Sequence, residues 1–411
     1  MNQRPLAGKT ILLVHPAWHS CGTAQVVVGQ ALAWRALGAR VLSLALRDWP
    51  PGAADAGGGR WRDYFDHTGD LSADARLCSN PPLAALARPA FWRDIYWPLI
   101  HGDHARATLA MMQSAPMPPA LAGERIDLVH CNHFFCLPVA LRFGAPVMVE
   151  THDVQARQYH LRNDNLFIVP PRASYESMLA TEAAWLGKAD LIVHLNDEEL
   201  RLFERLVRTR PHALLYPAVP PVPTGPGGED IVIVASGNLP NTLSVIWFLE
   251  EVAARVAAPV KIFGNVEAAV KARAPALHAR WAAMFAGRVD DIGAVYAQAG
   301  LVLLPTVEGH GLSIKTVEAM ASGAPLIATR QAFRGMTIDP MTLANVSLCD
   351  TAEDFAAALS QALAQGVSRH PHAATRATND TRRAYESHFS QAAYARALCA
   401  LATPLLTREA A

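Results

Sequence analysis

The sequence carries no excess of charge of either sign. Lys and Arg together number 36, Asp and Glu number 36, and charged residues make up 18% of the 411. A chain with no net positive field is not built for broad electrostatic capture of nucleic acid. No apolar run approaches the ~18 residues that a membrane-spanning helix needs. The opening stretch, MNQRPLAGKTILLVHPAW, has too short an apolar core for a signal peptide. It reads as a first strand, which makes a cytoplasmic protein the expectation, with the inner face of the cell membrane as a peripheral address. Cysteine is scarce and scattered: Cys21, Cys78, Cys131, Cys136, Cys349 and Cys399 form no CxxC pair. That spacing favours reduced thiols over disulfides or zinc ligands. What remains is a globular composition, 51% hydrophobic. It is spread over a length that exceeds one ordinary core, so two domains are expected.

Short apolar runs alternate with longer amphipathic ones. TILLVHP, ARVLSLALR, IDLVHCN, PVMVETHD and ADLIVHLN read as strands in the first half, with a helix over AQVVVGQALAWRALG. DIVIVASGN, PVKIFGN, AGLVLLPT and APLIATR repeat the pattern in the second half. Their apolar faces are continuous rather than alternating, as in parallel sheets covered by helices on both sides. The fold class expected is therefore α/β, with two Rossmann-like, doubly wound domains. The Pro- and Gly-dense stretch YPAVPPVPTGPGGED separates them. This gives boundaries of 1–218, 219–385, and a C-terminal helix and tail, 386–411, free to cross back to the first domain. Residues 50–82 read as a mobile loop within the first domain.

In open parallel sheets, ligands bind beyond the carboxyl ends of the strands. That rule selects Gly22 after the first strand, and His152 and Asp153 after VMVE. It also selects Gly237 and Asn238 in SGNLPN, Gly264 in the turn after KIF, and the segment EGHGLSIKTVEAMASGAP. In that segment Ser313 is a candidate N-cap and Gly323 a stop signal, giving a helix over Ile314 to Ser322. Gly309 and Gly311 leave bare backbone before a helix N-terminus, which suits a diphosphate. Lys315 places a full positive charge in the first turn, where the helix dipole disfavours it, and this mismatch points to a bound anion. Glu318 lies one turn on, on the same face, where a carboxylate can accept hydrogen bonds from ribose hydroxyls. The plainer alternatives are that Lys315 and Glu318 form only a surface pair and that His152 is a core histidine bonded to backbone. The segment is not a P-loop, since the GK[ST] ending is missing.

Five segments in the same order resemble the GT-B glycosyltransferases, nearest to the retaining, family-4-like group of bacterial cell-surface polysaccharide enzymes. They are HSCGTAQVVVGQALAWRALGARV, VETHD, SGNLPNTLSVIWFLEEV, GRVDDIGAVYAQAGLVLLPT and EGHGLSIKTVEAMASGAPLIATRQAFRG. The resemblance implies two domains facing a cleft. It implies that Glu318 holds the ribose and that the backbone of Gly309, His310, Gly311 and Leu312 meets the diphosphate. Arg288 and Val289 would meet the base, His152 would stand by the sugar and leaving oxygen, and Gly22 would lie near the donor phosphate. Glu308 is a further donor-side candidate, although ten positions rather than the usual eight separate it from Glu318. A sister pattern, with Lys three residues before the Glu, fits better. The Arg and Lys usual after the first two strands of the second domain are absent, which leaves Lys315, with Arg330 or Arg334, to neutralise the phosphates.

The reading that follows is a glycosyltransferase moving a sugar from a nucleotide-sugar to a hydroxyl of a glycan or lipid-linked acceptor, with retention. It would use His152, Asp153 and Lys315 at the reacting centre, with His152 donating to a sugar hydroxyl, and no metal or other cofactor. A nucleotide-sugar epimerase and an inactive nucleotide-binding scaffold are the alternatives. The stretch Arg88 to Gln113 mixes Trp92, Tyr96 and Trp97 with Arg88, Arg93 and Arg106. It reads either as core aromatics with solvated arginines or as an acceptor face with weak attachment to anionic lipid.

Overall fold

The computed structural model of the chain describes residues 4–18, 21–47, 71–79, 83–163, 168–367 and 373–407. It divides into two compact units, Met1–Ala218 with Tyr394–Ala411, and Val219–Ala393.

The first unit is built on seven strands: β1 (Thr10–Pro16), β2 (Arg40–Leu46), β3 (Ala75–Ser79), β4 (Leu128–Asn132), β5 (Val147–Glu150), β6 (Leu191–His194) and β7 (His212–Leu214). All pair in parallel, in the order β3-β2-β1-β4-β5-β6-β7. Every residue of β1 is buried, because helices cover both faces of a central parallel strand. Around the sheet run α1 (Gly22–Ala36), α2 (Gln155–Asn163), α3 (Tyr175–Leu186) and α4 (Asp197–Leu206).

The second unit holds β8 (Asp230–Val234), β9 (Val260–Phe263), β10 (Phe285–Gly287), β11 (Ala299–Leu304), β12 (Leu326–Ala328) and β13 (Val346–Leu348). They form a parallel sheet in the order β10-β9-β8-β11-β12-β13. Its helices include α5 (Leu239–Trp247), α6 (Ile292–Gln298), α7 (Ile314–Ser322) and α8 (Ala352–Gln365). Helix α7 ends at Gly323, whose φ is +66°; a β carbon there would lie 2.0 Å from the Arg376 carbonyl oxygen. Only glycine fits that stop. In both sheets the strand order reverses beside the first strand of the unit, at β1/β4 and at β8/β11. Such switch points open a crevice at the carboxyl ends.

The final helix, α9 (Gln391–Leu406), returns to the first unit. It buries Tyr394, Leu398, Ala402 and Leu405 among Leu13, Trp34, Met148 and Val193. Strand β3 falls within the stretch expected to be a loop. Of that stretch, 50–70 and 80–82 lie outside the described residues.

Candidate functional site

Two histidines stand together at the carboxyl ends of β4 and β5. The rings of His133 and His152 stack with centroids 4.3 Å apart. Their φ angles are 67° and 64°, and among the described residues they are the only non-glycine residues at positive φ. That conformation costs on the order of 1–3 kcal/mol per residue, and it persists where the surroundings over-determine it. His133 also stacks on Phe135 at 4.9 Å, and Trp18 meets it edge-on at 5.1 Å. Its Nε2 lies 3.1 Å from Thr23 Oγ1, in the first turn of α1. Gly22, which opens α1, is exposed with open space around it.

His152 is buried, but it is bonded to a side chain rather than to backbone as the plainer reading expected: its Nε2 lies 2.7 Å from Asn132 Oδ1. Asn132 in turn forms a two-bond amide pair with Gln30, at 2.8 and 2.9 Å. Burial drives the His152 imidazole down to about 4, against the pull of Glu150, so the ring is neutral at physiological pH. Asp153 follows in the same loop and is exposed. Partial desolvation raises its carboxyl above the usual carboxylate range, against the pull of Arg157.

The second unit gathers its candidates at the ends of β8, β9, β11 and β12. The glycine loop runs from β11 to α7, with Gly309 at φ +123° and Gly311 at +67°. A β carbon on Gly309 would sit 2.8 Å from Arg334 Nη2, so the guanidinium lies directly over this loop. Gln331 also donates to the Gly309 carbonyl at 3.0 Å. Glu308 and His310 are exposed, and Leu312 is half-buried. Ser313 takes the N-cap position without capping through its side chain. Its hydroxyl instead pairs with Thr316 Oγ1 at 2.9 Å, whose own proton goes to the Ala332 carbonyl at 2.7 Å, so it does not occupy the first-turn N–H groups.

Lys315 and Glu318 meet as the pair the plainer reading described, with Nζ 3.2 and 2.9 Å from the two carboxylate oxygens. Glu318 Oε2 also accepts the hydroxyl of buried Tyr296, from α6, at 3.2 Å. The carboxylate is thus oriented by two donors of its own unit. Of the two arginines expected near phosphate, Arg330 is tied to Asp350 at 3.3 Å, and Arg334 is the one at the loop.

The turns after β8 and β9 come together through Gly237 N–H, which donates to Asn265 Oδ1 at 2.8 Å. Gly264 N–H donates to the Gly287 carbonyl, also at 2.8 Å, which brings it next to the segment of exposed Arg288 and half-buried Val289. Asn238 caps α5, its side chain accepting from Asn241 N–H. That carbonyl oxygen is therefore engaged within the helix rather than open to a ligand.

The sequence reading did not single out His133, Thr23, Asn132, Gln30 or Tyr296. The strand-end rule applied to β4 would have found Asn132 and His133; nothing local in the sequence marks the other three. Among the described residues no cluster of three or more His, Cys, Asp or Glu side chains is arranged to hold a metal ion.

Residues 230–365 match the family model for glycosyl transferases group 1. No curated protein matches the chain by sequence. Among solved structures it is similar to HepE of Anabaena, determined in complex with UDP. The identity is 12% and the TM-score 0.61, with 96% of this chain and 100% of that one covered. A glycosyltransferase from Rickettsia africae shows 13% identity and a TM-score of 0.63, covering 98% and 99%. Sucrose-phosphate synthase from Thermosynechococcus elongatus shows 15% and 0.60, covering 97% and 99%. What is shared with them, at these identities, is the GT-B fold.

Proposed function

We propose that the chain, which shares the GT-B fold and whose residues 230–365 match the glycosyl transferases group 1 model, is a glycosyltransferase that moves a sugar from a nucleotide-sugar to a hydroxyl acceptor with retention. The observation that carries the donor assignment is the β11–α7 segment. Two positive-φ glycines, an overlying Arg334 and a carboxylate pre-oriented by Lys315 and Tyr296 fall at the switch point of one sheet. In this reading the glycine loop, the α7 N-terminus and Arg334 receive the diphosphate, and Glu318 accepts from the ribose hydroxyls. The loop Arg288–Val289 faces the base. Lys315 screens Glu318 from the phosphates and supplies charge as the diphosphate departs. This chemistry calls for no metal.

UDP is the first nucleotide to try, since HepE was solved with it and with UDP-glucose. His152, His133 and Asp153, at the carboxyl ends of β4 and β5, are the residues this proposal assigns to sugar or acceptor. A glycan or lipid-linked acceptor, polysaccharide synthesis and a cytoplasmic, membrane-peripheral site belong to the same proposal. Among the described residues no helix is long and apolar enough to cross a membrane. Trp92, Tyr96 and Trp97, 53%, 42% and 61% exposed, supply an apolar surface instead.

The test is calorimetric titration of UDP into the wild type and Glu318→Ala. Loss of a charge-assisted hydrogen bond, about 1.5–3 kcal/mol, is expected to weaken binding roughly ten- to a hundred-fold in a protein that still folds cooperatively. Equal affinities would refute the assignment. With UDP-glucose and an acceptor, a transferase releases UDP, an epimerase makes a sugar isomer, and a scaffold does neither.

A further inference from the structure

The loop that carries His152 is gripped at both ends by buried carboxyl groups from two other helices. At its exit, α2 begins at Gln155 without a cap of its own. A helix start leaves its first N–H groups without intrahelical partners, and the preceding residue commonly supplies a side-chain oxygen. Here that residue is Val154, apolar and buried. Its backbone carbonyl accepts the N–H groups of Arg157 and Gln158, at 3.0 and 3.2 Å, which leaves those of Gln155 and Ala156. Glu182, from α3, takes both: Oε1 accepts from Gln155 N–H at 3.0 Å and Oε2 from Ala156 N–H at 2.8 Å. At the entry, Thr151 N–H donates to the Val193 carbonyl at 3.0 Å, and its hydroxyl lies 3.0 Å from Glu199 Oε2. Glu199 is itself fixed in the first turn of α4. Asn196 Nδ2 donates to its Oε1 at 2.6 Å, and its N–H donates to Asn196 Oδ1 at 3.0 Å. Glu182 is 1% exposed, Glu199 3% and Thr151 1%, so water does not compete for these bonds.

Burying a carboxyl is costly, and two are spent on a loop of four residues. What they secure is the backbone of His152, whose φ of 64° persists only where the residues on either side over-determine it. We propose that Glu182 and Glu199 are positioning residues for His152, and that sugar transfer depends on them while nucleotide binding does not. The inference rests on the proposal that His152 faces the sugar; the clamp itself does not depend on it.

Glu182→Gln keeps the volume but replaces one of the two acceptors by an NH2 group facing a backbone N–H. Thr151→Val keeps the shape and removes the bond to Glu199. Ser174→Ala is the control. It removes the cap of α3, where Ser174 Oγ accepts from Ser177 N–H at 3.1 Å, and so weakens the helix that carries Glu182 without touching the loop. Two quantities are measured on the full chain: steady-state release of UDP from UDP-glucose, and hydrogen exchange over residues 151–158 without ligand. Glu182→Gln and Thr151→Val are each expected to lower kcat about ten- to a hundred-fold, the scale of a reacting group misplaced by up to about 1 Å, with calorimetric UDP affinity unchanged. Exchange over the loop is expected to quicken about ten-fold, as for one lost hydrogen bond. Ser174→Ala is expected to keep the wild-type values of both.

Wild-type kcat in both clamp variants would overturn the proposal. So would an equal loss in Ser174→Ala, which would reduce the effect to a loosened α3, or a fall in UDP affinity matching the fall in kcat. Loss of cooperative folding in both clamp variants would make the carboxyls core elements only. The parent reading is judged separately: His152→Ala releasing UDP from UDP-glucose at the wild-type rate would refute the role of His152. Exchange needs no substrate, so unchanged exchange in both clamp variants would refute the clamp whatever the donor.

Discussion

His15, His152 and His194 are buried in the first unit, and burial drives them to about 4, 4 and 3 from an ordinary 6.5. The unfolded chain takes up protons below pH 6.5 that the folded chain refuses, so their contribution to stability is lost as pH falls from 6.5 toward 4. Glu182 runs the other way. Its oxygens accept the N–H groups of Gln155 and Ala156 at the start of α2, yet burial lifts its carboxyl to about 8. Glu199 is also raised, chiefly by burial. Hydrogen-bond supply agrees: Thr151 has one hydroxyl proton for three acceptors, His194 Nδ1, the Val193 carbonyl and Glu199 Oε2, and a protonated Glu199 relieves the shortage. Stability from a raised carboxyl is complete below about 4.5 and is lost as pH rises toward its folded value. From about pH 7 to 8 the histidines are largely neutral in both states and the carboxyls dominate. The unfolding free energy from urea titration is therefore expected to fall with rising pH in this window, by up to about 1.4 kcal/mol per unit for each proton involved. Glu182→Gln should flatten that slope; a wild-type stability that rises from pH 7 to 8 would contradict it.

At the scale of elements, the central strands and α7 were legible because burial on both faces leaves an unbroken apolar run and because Gly323 permits only one kind of stop. The edge strands were not. β7, β10 and β13 are three residues long and only partly buried, and β3 lies in a segment whose composition reads as loop. The site was half legible for a related reason. Gly309, Gly311, Lys315 and Glu318 are close in sequence, whereas Gln30 and Asn132 meet across 102 positions and carry no local signal. The aromatic stretch also resolved against its core reading. It breaks into Pro89–Phe91, a π turn at Trp92–Tyr96, and Trp97–Ile100, and this turns Trp92 and Trp97 outward. Arg93 is paired with Asp94 at 2.7 Å, so in the proposed membrane contact the rings rather than that charge would do the attaching. Trp92→Ser with Trp97→Ser is expected to abolish co-sedimentation with anionic phosphatidylglycerol vesicles at low salt. Unchanged pelleting of the double variant would remove this stretch from any membrane role.

At the scale of the molecule, the first unit is discontinuous in sequence: its core is completed by Tyr394, Leu398, Ala402 and Leu405. Burying side chains of this size contributes about 1.5–3 kcal/mol for each large one. A chain stopped after Ser390 is therefore expected to lose the protease resistance of its first unit while residues 219–390 keep theirs, as limited trypsin digestion and mass mapping would show. Equal resistance of both regions would mean that the helix is dispensable. The same arrangement has a consequence at birth. Domains leaving the ribosome fold in order of synthesis, but here the first to emerge waits for the last. Its sheet can form early, yet the helix that closes its core arrives only when translation is almost finished. A prematurely terminated chain would thus be released with its second unit close to finished and the core of its first unit still open to solvent.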